Sequence, residues 1–237
     1  MEKQNEDLET IYVGYANQKG GCGKSTLTQL NAKALSLGKG LKVAIIECDL
    51  QGSLHNALLD YKEANANFIS SYDIIIAQIN EVPKTAADLF GKYDYVFIDM
   101  PGTLGTDGVI NMLGVCDIML IPIKASQYDV DSSLSFLDSV KKVKALKEKK
   151  NLPFEYYFVI NAYDRQLTES KELIKIIEDL KLPAFKSTIK SSISYSRHQG
   201  TFNNPLNDKN IRFEYGIFID EFLEVAEDVK NKYNVIQ

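Results

Sequence analysis

The chain has 237 residues, 45% of them hydrophobic and 25% charged, with a formal net charge of -5. That length allows one sizeable core, and the ordinary composition excludes disordered and fibrous classes. The acidic balance argues against coating nucleic acid by bulk electrostatics, which needs an excess of Lys and Arg, and leaves room only for a local basic patch.

Short apolar runs rich in Val, Ile and Tyr recur at residues 11–16, 43–46, 95–98, 118–121 and 156–160. Several are almost uninterruptedly apolar, as strands covered on both faces of a parallel sheet should be. Helical spacing appears between them. Residues 25–37 place Leu27, Leu30, Ala34 and Leu37 on one stripe, and Gly38 with Gly40 supplies the stop. Residues 130–149 do the same with Leu134, Leu137, Val140 and Val143, and residues 168–180 form a helix opened by Thr168 and closed before Pro183. Residues 61–71 and 195–208, rich in small, polar and turn-forming types, read as loops. Strands alternating with helices predict a doubly wound α/β fold, a mostly parallel sheet with helices on both faces, in one domain over residues 1–237.

The first strand runs into Asn17-Gln18-Lys19-Gly20-Gly21-Cys22-Gly23-Lys24-Ser25-Thr26, and a helix follows. Strand, glycine-rich turn and helix together make a phosphate loop. The glycines let backbone N–H groups curl around an anion, and the helix adds its positive end. Lys24 is then the cation for the β- and γ-phosphates of ATP, and the Ser25 hydroxyl is a Mg2+ ligand. The bland alternative is a glycine-rich turn between a strand and a helix. The common phosphate-loop form wants glycine at position 18, where Gln18 stands.

What stands instead, Lys-Gly-Gly-x-Gly-Lys-Ser-Thr, resembles the deviant Walker A motif of the ParA/MinD family of P-loop ATPases, most of all small ParA-type partition ATPases. The resemblance implies a P-loop NTPase fold with ATP and Mg2+ as cofactors. It assigns Gly20, Gly21, Cys22, Gly23, Lys24, Ser25 and Thr26 to the nucleotide. It makes Lys19 the signature residue that reaches the partner subunit's phosphates in an ATP-dependent homodimer, as an arginine finger does.

Two further segments match in chain order. Glu47-Cys48-Asp49-Leu50-Gln51 looks like the family's Asp-x-Asp-x-Gln segment, which makes Asp49 the acid that positions the attacking water and the Mg2+ shell. An acid ending a strand can also simply cap the next turn, and Glu47 departs from the usual Asp. Asp99-Met100-Pro101-Gly102 resembles the second acidic motif, with Asp99 holding Mg2+ and the Gly102 backbone sensing the γ-phosphate. Met100-Pro101-Gly102 replaces the more usual Thr-Pro-Pro-Gly. Asn161 matches the position that contacts adenine, although an Asn at a strand end is equally often a turn residue.

Relatives of this kind differ in where they land. The acidic face at residues 220–228 is unsuited to anionic lipid, so no membrane partner is expected. No apolar stretch approaches the roughly 20 residues that cross a bilayer, and the polar start carries no secretory pattern. Cys22, Cys48 and Cys116 lack metal or disulfide spacing and fit a reducing cytoplasm. Cys116 reads as buried rather than as a cluster ligand.

Lys190, Arg197 and Arg212 lie where partition relatives bind nonspecific DNA. The lysine run Lys141, Lys142, Lys144, Lys147, Lys149 and Lys150 reads more readily as a solvated helix face. Too few residues precede the phosphate loop for a helix-turn-helix reader. The expectation is a cytoplasmic ATPase, nucleoid-associated in its ATP state, that partitions a plasmid, conjugative element or chromosome and is stimulated by a ParB-like partner. The alternatives are an ATP-dependent metabolic ligase on the same scaffold and a MinD-like positioning ATPase.

Overall fold

The five apolar runs become strands that stay buried along nearly their whole length, because helices cover both faces of the sheet they form. The computed structural model describes residues 10–17, 20–49, 52–101, 106–125 and 127–234. Its strands are β1 (Ile11–Tyr15), β2 (Val43–Glu47), β3 (Asp73–Ile76), β4 (Tyr95–Asp99), β5 (Ile118–Ile123), β6 (Glu155–Tyr163) and β7 (Ile189–Lys190). They make one sheet in the order β3-β2-β4-β1-β5-β6-β7, with every neighbouring pair parallel. The expected doubly wound architecture is the one observed. The direction of winding reverses beside β1, so the crevice that such sheets use for ligands opens at the carboxyl ends of β1, β4 and β5.

The helices are α1 (Lys24–Lys33), α2 (Ser53–Ala64), α3 (Val82–Leu89), α4 (Thr106–Val115), α5 (Gln127–Glu148), α6 (Thr168–Asp179), α7 (Ile193–Arg197) and α8 (Arg212–Asn234). Side chains alternate across β1 with the period of a strand. Val13 and Tyr15 join the layer built with Leu27, Leu30, Phe218 and Phe222 of α1 and α8. Tyr12 joins the opposite layer, built with Val82, Leu113, Phe136, Val140 and Leu173 of α3 to α6. Between α1 and its neighbours a buried chain of polar groups fixes the helix. Asn31 donates to the Tyr15 hydroxyl at 2.8 Å, and the Tyr215 hydroxyl donates to Asn31 at 2.5 Å.

Several sequence expectations are corrected. β3 and β7 went unread: β7 is only the two residues Ile189–Lys190, and β3 is a four-residue edge strand whose Ile74–Ile76 run is apolar but short. The first helix ends as a π-helical turn, Ala34–Gly38, whose wider winding buries Leu35 and turns Leu37 outward to 44% exposure. Gly40, at φ 70, supplies the left-handed residue expected there.

Residues 61–71 are not all loop: Tyr61 to Ala64 form the last turn of α2, and Tyr61 and Phe68 pack on Phe202 with ring centroids 4.9 and 5.3 Å away. The other stretch read as loop, 195–208, contains the end of α7, the buried Phe202 and a short 3-10 turn, Pro205–Asn207. Aromatic anchoring orders both stretches against each other.

The lysine run is not uniformly solvated. Lys147 is buried and donates to the Cys116 and Pro153 carbonyls, and Lys144 pairs with Glu155 at 2.6 Å. Leu137, Val140 and Val143 do face the core as read, and the Leu134 side chain is outside the description.

Candidate functional site

A chain leaving a buried strand must turn sharply to start a helix above it, and here glycines make the turn. Gly21 and Gly23 sit at φ 73 and 106, in the left-handed region that costs other residues energy. Gly23 is the N-cap of α1 and offers no side-chain cap, so the first N–H groups of the helix keep no side-chain partner at the cap. A side chain at Gly23 would also collide with Asn161, whose Nδ2 lies 2.3 Å from where a Cβ would stand.

Lys24, the first residue of α1, is buried, and its Nζ donates to the Asn17 carbonyl at 3.3 Å. Asn17 in turn is fixed by donating to the Pro122 carbonyl and the Ser133 hydroxyl, each at 2.8 Å. The phosphate loop is thereby tied to β5 and α5.

Three acidic residues lie together at the carboxyl ends of β2 and β4, with Asp99 beside Ser25. Asp99 ends β4, Asp49 follows β2 and Glu47 is the last residue of β2. Asp99 is 3% exposed and its carboxyl is pushed up to about 7. Burial is the main cause. The Glu47 and Asp49 charges push it further, while the Ser25 hydroxyl donating to it and the Lys24 charge pull the other way. One Asp99 oxygen, Oδ1, is buried without a hydrogen-bond partner. A buried, orphaned carboxylate oxygen next to a serine hydroxyl and a lysine fits a hard divalent cation with oxygen ligands. Magnesium therefore fits the residues present, with Ser25 and Asp99 as the groups to hold it and Asp49 close by. The Asp49 carbonyl also accepts the Gly52 N–H at 2.8 Å, closing a turn at the start of α2.

On the other side of the loop a cavity of about 340 Å³ is lined by Gly21, Gly23, Thr26, Lys124, Asn161 and Lys190, among others. Asn161 reaches across to the phosphate loop and donates to the Cys22 carbonyl at 2.7 Å, while its own oxygen accepts the Ala162 N–H at 2.8 Å. The strand register shifts between Asn161 and Tyr163, and Ala162 takes φ 54, a strained value for a residue with a Cβ.

Lys124 is a residue that the sequence reading missed. Its amine donates to the Gly21 carbonyl from the end of β5, and nothing in the local sequence signals that long-range contact. Gln199 is a second: its amide donates to the Thr26 hydroxyl.

Gly20, Gly21, Cys22, Gly23, Lys24, Ser25, Thr26, Asp49, Asp99 and Asn161 thus share one end of the sheet. Lys19 and Gly102 lie outside the described residues. The three proposed DNA contacts differ in setting. Arg197 and Arg212 are exposed on α7 and at the start of α8. Lys190 lines the cavity, and its amine is engaged by the Asn210 carbonyl and lies 3.8 Å from Glu214. Cys22, Cys48 and Cys116 are all buried free thiols, as expected for Cys116.

Residues 13–205 match the family model of the CobQ/CobB/MinD/ParA nucleotide binding domain. The chain belongs to this family. Among CobQ/CobB/MinD/ParA relatives, the maintenance of carboxysome distribution protein A of Halothiobacillus neapolitanus is 25% identical over 185 residues, covering 77% of this chain and 81% of that protein. A Borrelia burgdorferi B31 protein assigned to plasmid partition, solved with AMPPNP, superposes with a TM-score of 0.69 at 23% identity, over 91% of this chain and 99% of that one. The septum site-determining protein MinD of Pyrococcus horikoshii, solved with Mg-ADP, gives 0.67 at 19% identity, over 94% and 98%. These structures share the fold, and family members of this kind are solved with nucleotide and magnesium. No described helix is long and apolar enough to cross a membrane.

Proposed function

We propose that the chain is a single-domain ATPase switch of the ParA kind, which binds Mg-ATP at the carboxyl end of its sheet and pairs with a second copy in that state. One observation carries the reading: a lysine at the first position of a helix, behind two left-handed glycines, faces a buried aspartate with an orphaned oxygen. Lys24 there draws negative charge on the β- and γ-phosphates, helped by the loop's N–H groups and the helix pole. Asp49 orients water at the γ-phosphate by position rather than basicity. Magnesium, when bound, would be held by Ser25 and Asp99 and would supply positive charge to offset that of the phosphates. Asn161 and the cavity beside it take the base side of the nucleotide. Lys19, from the partner copy, completes the charge complement.

The finer role in our reading is DNA partitioning, with nonspecific DNA held in the ATP state and a ParB-like partner stimulating hydrolysis in a cytoplasmic, nucleoid-associated cycle. Its support is the partition assignment of the Borrelia relative and the exposed Arg197 and Arg212. ATP binding then shifts the population between two surfaces rather than making a metabolite. Analytical ultracentrifugation with ADP and with a non-hydrolysable ATP analogue tests the switch: dimer mass with the analogue alone is expected, and monomer mass in both counts against it. DNA retention should require ATP and weaken steeply with salt; retention indifferent to salt removes the DNA role.

A further inference from the structure

Glu47 stands where the sequence comparison called for Asp, and the extra methylene has a use. Its side chain is completely buried at the end of β2. Oε1 accepts the Leu54 N–H at 2.7 Å and, more weakly, the Ser53 hydroxyl at 3.4 Å, while Oε2 accepts the His55 N–H at 2.9 Å. Those N–H groups belong to the first turn of α2, the donors a helix normally satisfies with its own N-cap side chain. Here the N-cap is Gly52, at φ 61, which has no side chain to offer. A carboxylate at this pole also meets the positive end of the helix dipole.

The segment between this acid and its helix contains Asp49, whose carbonyl holds the Gly52 N–H. We infer that Glu47 is a positioning residue: by capping α2 from the end of β2, it fixes the start of α2 against β2 and so sets where Asp49, held to Gly52 at that start, stands relative to Ser25 and Lys24. An aspartate is shorter by one carbon–carbon bond, roughly 1.5 Å, so from the same backbone it cannot reach both N–H groups. The charge of Glu47 is still felt at Asp99, while its oxygens are engaged by α2. The inference rests on the proposed role of Asp49 in hydrolysis.

The test uses the full chain as Glu47→Gln and Glu47→Asp, with Asp49→Ala alongside. Amide hydrogen exchange at Leu54 and His55 is measured without nucleotide. Affinity for a fluorescent ATP analogue, kcat and the Mg2+ concentration for half-maximal rate follow. We expect faster exchange at both amides in both variants and kcat lowered about 10- to 100-fold, the size of effect that a misplacement near 1 Å produces. Affinity and the Mg2+ midpoint should stay within about threefold, since the charge-bearing groups that touch the nucleotide are intact.

Unchanged exchange overturns the cap. A Glu47→Asp protein that turns over like wild type overturns the need for reach, and a Mg2+ midpoint displaced in proportion to kcat makes Glu47 a metal ligand instead. Wild-type turnover by Asp49→Ala removes the reading on which the inference rests, and the exchange data still report separately whether Glu47 caps α2.

Discussion

Helix α1 has a buried lysine at each end. Lys24 opens the helix, where the backbone's positive pole already repels a cation, and no acidic residue in the first turn offsets it. Lys33 ends α1 where the winding widens into the π-helical turn Ala34–Gly38, with no solvent exposure; its amine donates to the His198 carbonyl at 2.5 Å and lies 5.3 Å from the centre of the Phe202 ring. A cation placed against its own helix dipole makes physical sense when an anion is to arrive there. The cation at the other end is held by a carbonyl and an aromatic face, and it ties α1 to the segment that follows α7. One helix therefore presents the same residue type once as a ligand-binding group and once as a tie.

The largest effect expected from this contrast is at Lys24. Lys24→Ala should lower ATP affinity by up to about 100-fold, since a hydrogen bond to a charged group is worth up to about 3 kcal/mol. Calorimetric titration with Mg-ATP measures this, and the melting temperature without nucleotide should stay close to wild type. A variant that still binds ATP normally ends the distinction between the two lysines. Asp49→Ala comes next: turnover should drop on the order of 100-fold with ATP affinity kept, which leaves a dimer trapped on ATP. Phosphate release and sedimentation on the same sample read both, and equal loss of binding in the two variants breaks the division of roles.

This contrast was only half legible in the sequence. The phosphate loop is contiguous, and its chemistry demands glycines, a lysine and a hydroxyl at fixed spacing, so Gly20 to Thr26 could be read directly. Asp49 and Asp99 follow central strands whose apolar runs are unmistakable. Lys33 looks like any helix-surface lysine, because what buries it is Phe202 and the His198 carbonyl, far along the chain. The same holds for Lys124 and Gln199, whose partners Gly21 and Thr26 are brought to them by the fold. β3 and β7, at the two edges of the sheet, are short and only partly buried: β7 is two residues long, and the three isoleucines of β3 make a run shorter than those of the central strands. Helix α8 shows the converse. Tyr215, Phe218, Ile219, Phe222, Ala226 and Val229 repeat with helical period, while the acids between them draw attention to charge instead.

At Lys33 the expected effect is on stability and not on binding. Burial lowers its amine to about 7 from the usual lysine value. The unfolded chain keeps the proton to the ordinary lysine range, so from about pH 7 upward the unfolded state binds more protons than the native one. Stability contributed here is thus absent below pH 7 and grows as pH rises, with an upper limit near 1.4 kcal/mol per pH unit. Asp99 has the opposite sign in a lower window: raised to about 7, it keeps its proton in the native state and costs stability as pH rises from 4 toward 7. Lys33→Met should flatten the denaturation free energy between pH 7 and 9 and leave ATP affinity within about twofold, because the change lies far from the phosphates. An unaltered pH slope means that the Lys33 amine stays charged in the fold.

The smallest effect concerns the link between the two ends. Gln199 follows His198, whose carbonyl Lys33 holds, and its amide donates to the hydroxyl of Thr26 in the first turn of α1. The segment after α7 therefore touches both ends of the helix, one through a buried amine and the other through an exposed hydrogen bond. An exposed bond of this kind contributes roughly 0.5 to 1.5 kcal/mol, so Gln199→Ala should weaken ATP by about two- to tenfold at most. The same change should leave the pH slope set by Lys33 intact, because the buried tie does not pass through Gln199. Hydrogen exchange over residues 193–201 sharpens the point: ATP should protect these amides in the wild type and protect them less in Gln199→Ala. Equal protection in both would mean that the segment reports on ATP through Lys33 or not at all.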